Sequence, residues 1–364
     1  MNPYSKLLFI LILCIIAACK SFQDPDAKYS YVQPLTERGL ETSTLQAEGL
    51  DENTIMQMSD RIIREEFKRI DGVLILKNNK LVYEEYFHGY TKDIPHNIYS
   101  CTKSITSMLV GIAIDQKIID TIDTPILQFF PEYTSIQNSS QWKEQITIRN
   151  LLDMNSGLDC DDWYKGSSDK MNQSTDPVKY IRDLPSINKP GTTGSYCTGG
   201  AVLLGRILEN KSGMSLEAFA NKNLFDPLEI KKYRWDKLQD GKSFGGGGLF
   251  LRHRDMAKIG LLMLNKGTWQ SNQLISRNWV ELSEKNTSKL RGPFDGYGLL
   301  WWKQNFPHNN ENIEVYFSSG NGGQDIFIVP SKKMVIVMTG SNINSGQGFQ
   351  NIIMLKDYII PAIK

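Results

Sequence analysis

Ser-x-x-Lys occurs four times in this chain, at Ser100/Lys103, Ser140/Lys143, Ser167/Lys170 and Ser186/Lys189. A serine hydroxyl attacks an acyl carbon at neutral pH only beside a group that takes its proton. Two residues three apart on a helix share one face, so each lysine amine is in reach of its serine. Three of the pairs lie in polar or Pro-bordered stretches and read as solvated loops. Only Ser100 opens an apolar-periodic segment, with Ile105, Met108, Leu109, Ile112 and Ala113 along one helix face. A helix start supplies free N–H groups and positive potential. That potential and burial both disfavour an ammonium, so Lys103 there can act as a base. On spacing alone, a helix-capping serine and a solvated lysine explain the pair equally well.

Other chemistries find less support. Cys101 is a second nucleophile candidate, but it points about 100° round the helix from Ser100, and no histidine stands in a pairing motif with it. The four histidines (His88, His96, His253, His308) are scattered, with no HExxH and no CxxC, so no metal site and no cofactor is expected. Gly245 to Gly248 lacks the Lys-Ser/Thr of a phosphate loop. The net charge of +1, with no basic stripe, argues against a nucleic-acid partner.

The elements that must position Ser100 follow from the hydrophobic pattern. Gly72–Lys77 and Lys80–Phe87 flank an Asn pair and read as a hairpin. Tyr297–Trp302, Ile313–Ser318, Asp325–Val329 and Met334–Met338 are strand-like, with Pro330–Lys333 as a turn. Segments 148–154, 201–208, 216–224 and 256–264 are helical in pattern, and Phe349–Ile363 closes the chain as a helix. Strands, then helices, then strands predict an α+β fold: an antiparallel sheet built from both chain ends and flanked by helices, with an inserted helical subdomain. The expected domain spans 69–364, with 69–116 and 240–364 forming the sheet and 117–239 the helical part.

Ile98-Tyr99-Ser100-Cys101-Thr102-Lys103-Ser104 resembles the active-site helix of the serine β-lactamase-like family. That family includes class C β-lactamases, penicillin-binding proteins, D-aminopeptidases, esterases and 6-aminohexanoate-dimer hydrolases. The resemblance extends from about Gly72 to the C-terminus through Thr147–Leu152, Ser156-Gly157-Leu158, Pro190-Gly191 ahead of Tyr196, and Gly322-Gly323-Gln324. It implies the β-lactamase/transpeptidase-like fold and a catalytic set of Ser100, Lys103 and Tyr196. Tyr196-Cys197-Thr198 matches the family's Tyr-x-Asn, with Thr198 in place of Asn. Tyr196 is then the general base, or a relay with Lys103, provided a nearby ammonium lowers its pKa.

Ser318-Ser319-Gly320 matches Lys-Thr-Gly without the cation that clamps a substrate carboxylate. A register with Asn321 at the motif's middle position is also open. The resemblance assigns the oxyanion hole to the backbones of Ser100 and Asn321, and substrate contact to Ser318, Ser319 and Gly320. Trp163 or Tyr164, in Asp161-Asp162-Trp163-Tyr164, either closes over an acyl group or is a surface aromatic. Trp301-Trp302 reads as core packing.

The expected activity is hydrolysis of a small-molecule ester or amide through an acyl-enzyme on Ser100. A β-lactamase or D-amino-acid peptidase acting on peptidoglycan-like substrates, and an inactive binding protein of the same fold, are the alternatives. Lys6, the apolar run Leu7–Ala18 and Ile16-Ala17-Ala18-Cys19 read as a signal peptide over 1–18. It ends in a lipobox-like site, with Cys19 as the lipidated residue. Residues 19–68 would form a tether and N-terminal segment, polar from Lys20 to Ala47. The expected location is the bacterial cell envelope, membrane-anchored through Cys19. Cys101, Cys160 and Cys197 then remain, an odd number that leaves at least one unpaired and does not suggest a disulfide scaffold.

Overall fold

The computed structural model describes residues 31–36 and 39–364. The expected signal segment and Cys19 lie outside the described residues. In chain order the principal elements are β1 (Glu41–Thr42), α1 (Glu52–Ile63), β2 (Ile70–Lys77), β3 (Lys80–Tyr86) and α2 (Cys101–Asp115). They continue with α3 (Thr198–Ser212), α4 (His253–Leu264), β4 (Gly296–Gly298), β5 (Trp301–His308), β6 (Glu311–Gly320), β7 (Gln324–Val329), β8 (Met334–Gly340) and α5 (Gln350–Met354).

The strands form one eight-stranded sheet in the order β1-β3-β2-β8-β7-β6-β5-β4. All pairs are antiparallel except β1 with β3. The seam between the two chain ends is β2–β8, paired from Met334↔Lys77 to Thr339↔Gly72. The expected α+β architecture is therefore the observed one. β7 and β8 are buried along their whole length, and β2 up to Lys77, as strands covered on both faces must be. α4 lies on the sheet, where Gly260 makes close approach possible: a Cβ there would stand 2.4 Å from Val335 Cγ1.

Three expectations are corrected. First, part of the supposed tether is folded. Inside the stretch Lys20–Ala47, β1 joins the sheet edge and Leu40 and Leu45 are buried; beyond it, α1 starts on an Asp51 cap and buries Ile55, Met58 and Ile62. Second, Tyr297–Trp302 is a hairpin and not one strand. Leu299 and Leu300 turn with φ of 44° and 65°, so Trp302 pairs with Tyr297. That unusual turn is pinned where Leu300 N–H donates to Leu152 O (2.8 Å) and Ser104 Oγ donates to Leu300 O (2.7 Å). Third, two of the supposed solvated Ser-x-x-Lys loops are helical. Ser140 caps Gln141–Glu144, where Lys143 is buried, and Ser167 begins the helix Ser167–Gln173. Neither pair lines the cavity that holds Ser100.

Candidate active site

α2 was expected to bury one face, but it is buried all round from Cys101 to Ala113. Several of its polar side chains are matched to neighbouring carbonyls, while Ser107 Oγ is buried with no hydrogen-bond partner among the described residues. Thr106 Oγ1 donates to Gly245 O (2.7 Å) and Cys101 Sγ to Gln324 O (3.0 Å). A helix of this kind runs through the core and presents one end to a cavity. Ser100 sits at that end, just past Tyr99, whose φ of 45° is costly for a non-glycine residue. The Tyr99 N–H is held by Asn97 Oδ1 (2.9 Å) and its carbonyl accepts from Thr102 Oγ1 (2.7 Å). The strained elbow turns the chain from the short strand His96–Asn97 into α2, with the Ser100 hydroxyl at the cavity.

Lys103 lies one turn on, only 2% exposed. Its Nζ is 3.0 Å from Ser100 Oγ and donates to Gly246 O at 2.7 Å. Burial lowers its pKa to about 8, against the opposing pull of Asp162. The Gly245–Gly248 run, unassigned in the sequence, thus supplies the carbonyl that anchors this amine. Tyr196 sits opposite and lines the same cavity as Ser100, and its ring centroid is 5.1 Å from Lys103 Nζ. Burial drives the Tyr196 pKa upward, and the nearby Asp162 and Cys101 push the same way, opposed only by the neighbouring Ser100 hydroxyl. The lowering expected from a neighbouring ammonium does not occur: the phenol stays protonated.

The cavity, about 540 Å³, is lined by Ser100, Tyr196, Ser319, Gly320 and Asn321, with aromatic rings along one wall. Gly320 ends β6 against the helix start. A Cβ there would stand 2.4 Å from Ile98 O and 3.1 Å from Ser100 N, so only glycine brings strand and nucleophile this close. Asn321 is fixed by paired bonds with Asn344: Nδ2 donates to its Oδ1 (2.7 Å), and the Asn344 N–H returns to Oδ1 (3.0 Å).

Two expected substrate contacts lie elsewhere. Ser318 is buried next to Cys101 and does not line the cavity, because adjacent strand residues face opposite sides. Tyr164 is exposed on a neighbouring hollow of about 240 Å³. Trp163 does line the Ser100 cavity and stacks on Tyr196 at 4.8 Å, 6° from parallel. Trp301 is core, as expected, but Trp302 joins the cavity wall, stacked 5.9 Å from Tyr196. Cys101 is fully buried, its thiol pKa pushed up by burial and the neighbouring Asp325. It does not reach the cavity.

Sequence reasoning missed two features. Cys160 and Cys197 form a disulfide, leaving Cys101 unpaired. The bridge ties the Asp161–Tyr164 segment to the residue after Tyr196. Asp162 is the second: its N–H donates to Tyr196 O (2.9 Å), and its Oδ2 accepts from the Thr198 N–H (2.7 Å) at the start of α3. No spacing rule pairs an aspartate with a tyrosine 34 residues on. Among the described residues no group of three His, Cys, Asp or Glu side chains is arranged to hold a metal ion.

A helix-end serine, a buried lysine of lowered pKa and a tyrosine, gathered at the end of an inner strand of an antiparallel sheet, fit a serine hydrolase of the β-lactamase type. The beta-lactamase family profile matches residues 60–350, and the chain belongs to that family. It is 25% identical over 298 residues to the 6-aminohexanoate-dimer hydrolase of Paenarthrobacter ureafaciens, covering 74% of this chain and 72% of that one. Two solved structures share the fold. The beta-lactamase/D-alanine carboxypeptidase of Yersinia pestis superposes with a TM-score of 0.69 at 16% identity, over 88% of this chain and 100% of that one. EstCE1, a hydrolase with promiscuous acyltransferase activity, gives 0.71 at 14% identity, over 85% and 98%.

Proposed function

We propose that this enzyme hydrolyses an uncharged ester or amide through an acyl-enzyme on Ser100, with Lys103 as the base. The observation that carries this is the 3.0 Å approach of a buried Lys103 amine, of pKa about 8, to Ser100 Oγ. A useful fraction of that amine is neutral near pH 7 to 8, and it takes the serine proton as Oγ attacks. Tyr196, a protonated phenol beside Ser100 in the same cavity, relays the proton taken by Lys103 to the leaving group. The Ser100 and Asn321 N–H groups receive the oxyanion; one such donor is typically worth about 3 kcal/mol in the transition state.

The cavity wall of Trp163, Trp302, Phe294 and Phe349 suits an apolar acyl group. Lys and Arg are not among the residues lining it, and Asp162 and Asp169 are. That electrostatic balance disfavours substrates identified by a carboxylate, such as β-lactams and D-alanyl peptides.

The test is intact-mass labelling with a fluorophosphonate. One adduct per chain, mapping to Ser100 and missing from Ser100→Ala, is the expected result. A folded wild-type protein that takes no label would sink the proposal.

The membrane anchor is a separate proposal, resting on the Cys19 motif alone. Expressed in a bacterial host, the wild type should sediment with membranes and take up labelled palmitate, and Cys19→Ala should do neither. Palmitate on the Cys19→Ala protein, or an unlabelled wild type, would refute it.

A further inference from the structure

The two N–H groups proposed for the oxyanion belong to opposite ends of the chain. Neither lies inside a regular element: Ser100 follows the strained Tyr99 elbow, and Asn321 follows the end of β6. A strained backbone persists only where its surroundings over-determine it. The bonds at Tyr99 itself come from Asn97 and Thr102, its own chain neighbours. The segment His96–Asn97 therefore needs an anchor of its own.

That anchor is Asp71 on β2, which is fully buried. Its Oδ2 is 2.9 Å from His96 Nε2 and accepts from Ser341 Oγ, and its Oδ1 is 3.2 Å from His88 Nδ1. His96 Nδ1 lies 3.0 Å from Asn97 O. Carbonyl and carboxylate oxygens only accept, so His96 makes both bonds only with a proton on each nitrogen. The same holds for His88, whose Nε2 is 2.6 Å from Glu65 Oε1. Doubly protonated, the two rings match the charges of Asp71 and Glu65, as a buried charge requires. The other rings against His96 add no charge. Tyr90 lies over it at 4.7 Å, and His253 from α4 meets it edge-on at 6.0 Å, bonded to Thr339 Oγ1 and held neutral by burial.

Two arms leave this carboxylate. One runs through His96 and Asn97 to the elbow, and so to the Ser100 N–H. The other runs through Ser341 to Asn342, whose N–H donates to Gly322 O (3.2 Å), and on to Asn344, whose N–H donates to Asn321 Oδ1 (3.0 Å). We propose that Asp71 and His96 are positioning residues that set the Ser100 and Asn321 N–H groups at the spacing an oxyanion needs. Neither lines the cavity, so they act through these backbones and not on substrate.

The inference rests on Ser100 as nucleophile, and the experiment separates the two. His96→Gln keeps a donor for Asp71 without the second bond to Asn97 O. On p-nitrophenyl butyrate its kcat should fall about 10- to 100-fold, less than for outright removal of an oxyanion donor, because the donors are only displaced. KM should change by less than about threefold, the mark of an interaction made in the transition state. p-Nitrophenyl thionobutyrate develops its charge on a larger sulfur that fits the intact hole badly, so it should lose less than the ester. The variant carrying both Asp71→Asn and His96→Gln should be no slower than the slower single variant, because the two act as one unit. Wild-type kcat in folded His96→Gln, or equal loss on both esters, overturns the proposal. If His96→Gln does not fold, Ser341→Ala replaces it, cutting only the second arm at a partly exposed hydroxyl. The ester preference should narrow there too, and an unchanged ratio refutes the role. A wild type that neither turns over ester nor takes fluorophosphonate removes the serine-hydrolase reading and this inference with it. An active wild type with unaffected variants removes this inference alone.

Discussion

Lys103→Met should yield a protein that is more stable than the wild type and almost inert. The folded-state pKa of Lys103 is about 8, against 10.5 for a free lysine. The unfolded chain therefore holds more protons between those two values, and stability rises with pH across that window. Below about pH 8 the full penalty is present, roughly 3 kcal/mol at 1.36 kcal/mol per pKa unit. Methionine fills similar space without charge. It leaves the Gly246 carbonyl without its donor, at a cost of about 1 kcal/mol or somewhat more, so a net gain survives at pH 7. The urea midpoint should rise at pH 7, and the gap should narrow by pH 10. Reactivity goes the other way. Wild-type kcat/KM should climb about tenfold per pH unit and level off near pH 8. Lys103→Met should lose about 10²- to 10⁴-fold and show no such limb. A limb that persists near pH 8 in the variant would assign the base elsewhere.

The second large effect is expected from the disulfide. Cys160 and Cys197 are 37 residues apart, and closing a loop of that size restricts the unfolded chain by roughly 4 kcal/mol. The same bridge fixes Tyr196 against Asp162 and Trp163. The variant carrying both Cys160→Ala and Cys197→Ala should unfold at lower urea by about that free energy, and wild type in strong reductant should match it. Its kcat should fall more than its KM rises, because the proton relay is loosened while the aromatic wall persists. Equal urea midpoints with and without reductant would show that the bridge carries no stability.

Much of the fold was legible because burial wrote itself into the chain. Val73-Leu74-Ile75-Leu76 and Met334–Met338 are apolar runs that only a covered strand needs, and they meet at the sheet seam. Ser100 was legible because its Lys103 spacing coincided with a helix start. What escaped was set by tertiary context. Leu299-Leu300 carries no Gly or Asn to announce a turn; bonds from Ser104 and to Leu152 hold it. Trp302 enters the cavity only because that turn exists, and strand alternation sends Ser318 away from it. Asp162 and the Cys160–Cys197 pair are joined across a loop whose folding no local pattern specifies. Lys143 looked solvated, yet it is buried with its amine on Gln137 O (2.7 Å).

The interlocking of the two chain ends has a consequence for the order in which the enzyme comes into being. A chain emerging N-terminus first presents Ser100, Lys103 and Tyr196 early. β2, paired with β3 on one side, then waits for β8 to arrive on the other. The corner that brings Asn321 and Gly320 against Ser100 is also made late. A partly synthesised chain therefore carries the reactive residues without the scaffold that makes them reactive. On the proposed mechanism, hydrolytic power begins only when the last strands dock, and the ribosome handles an inert polymer until then.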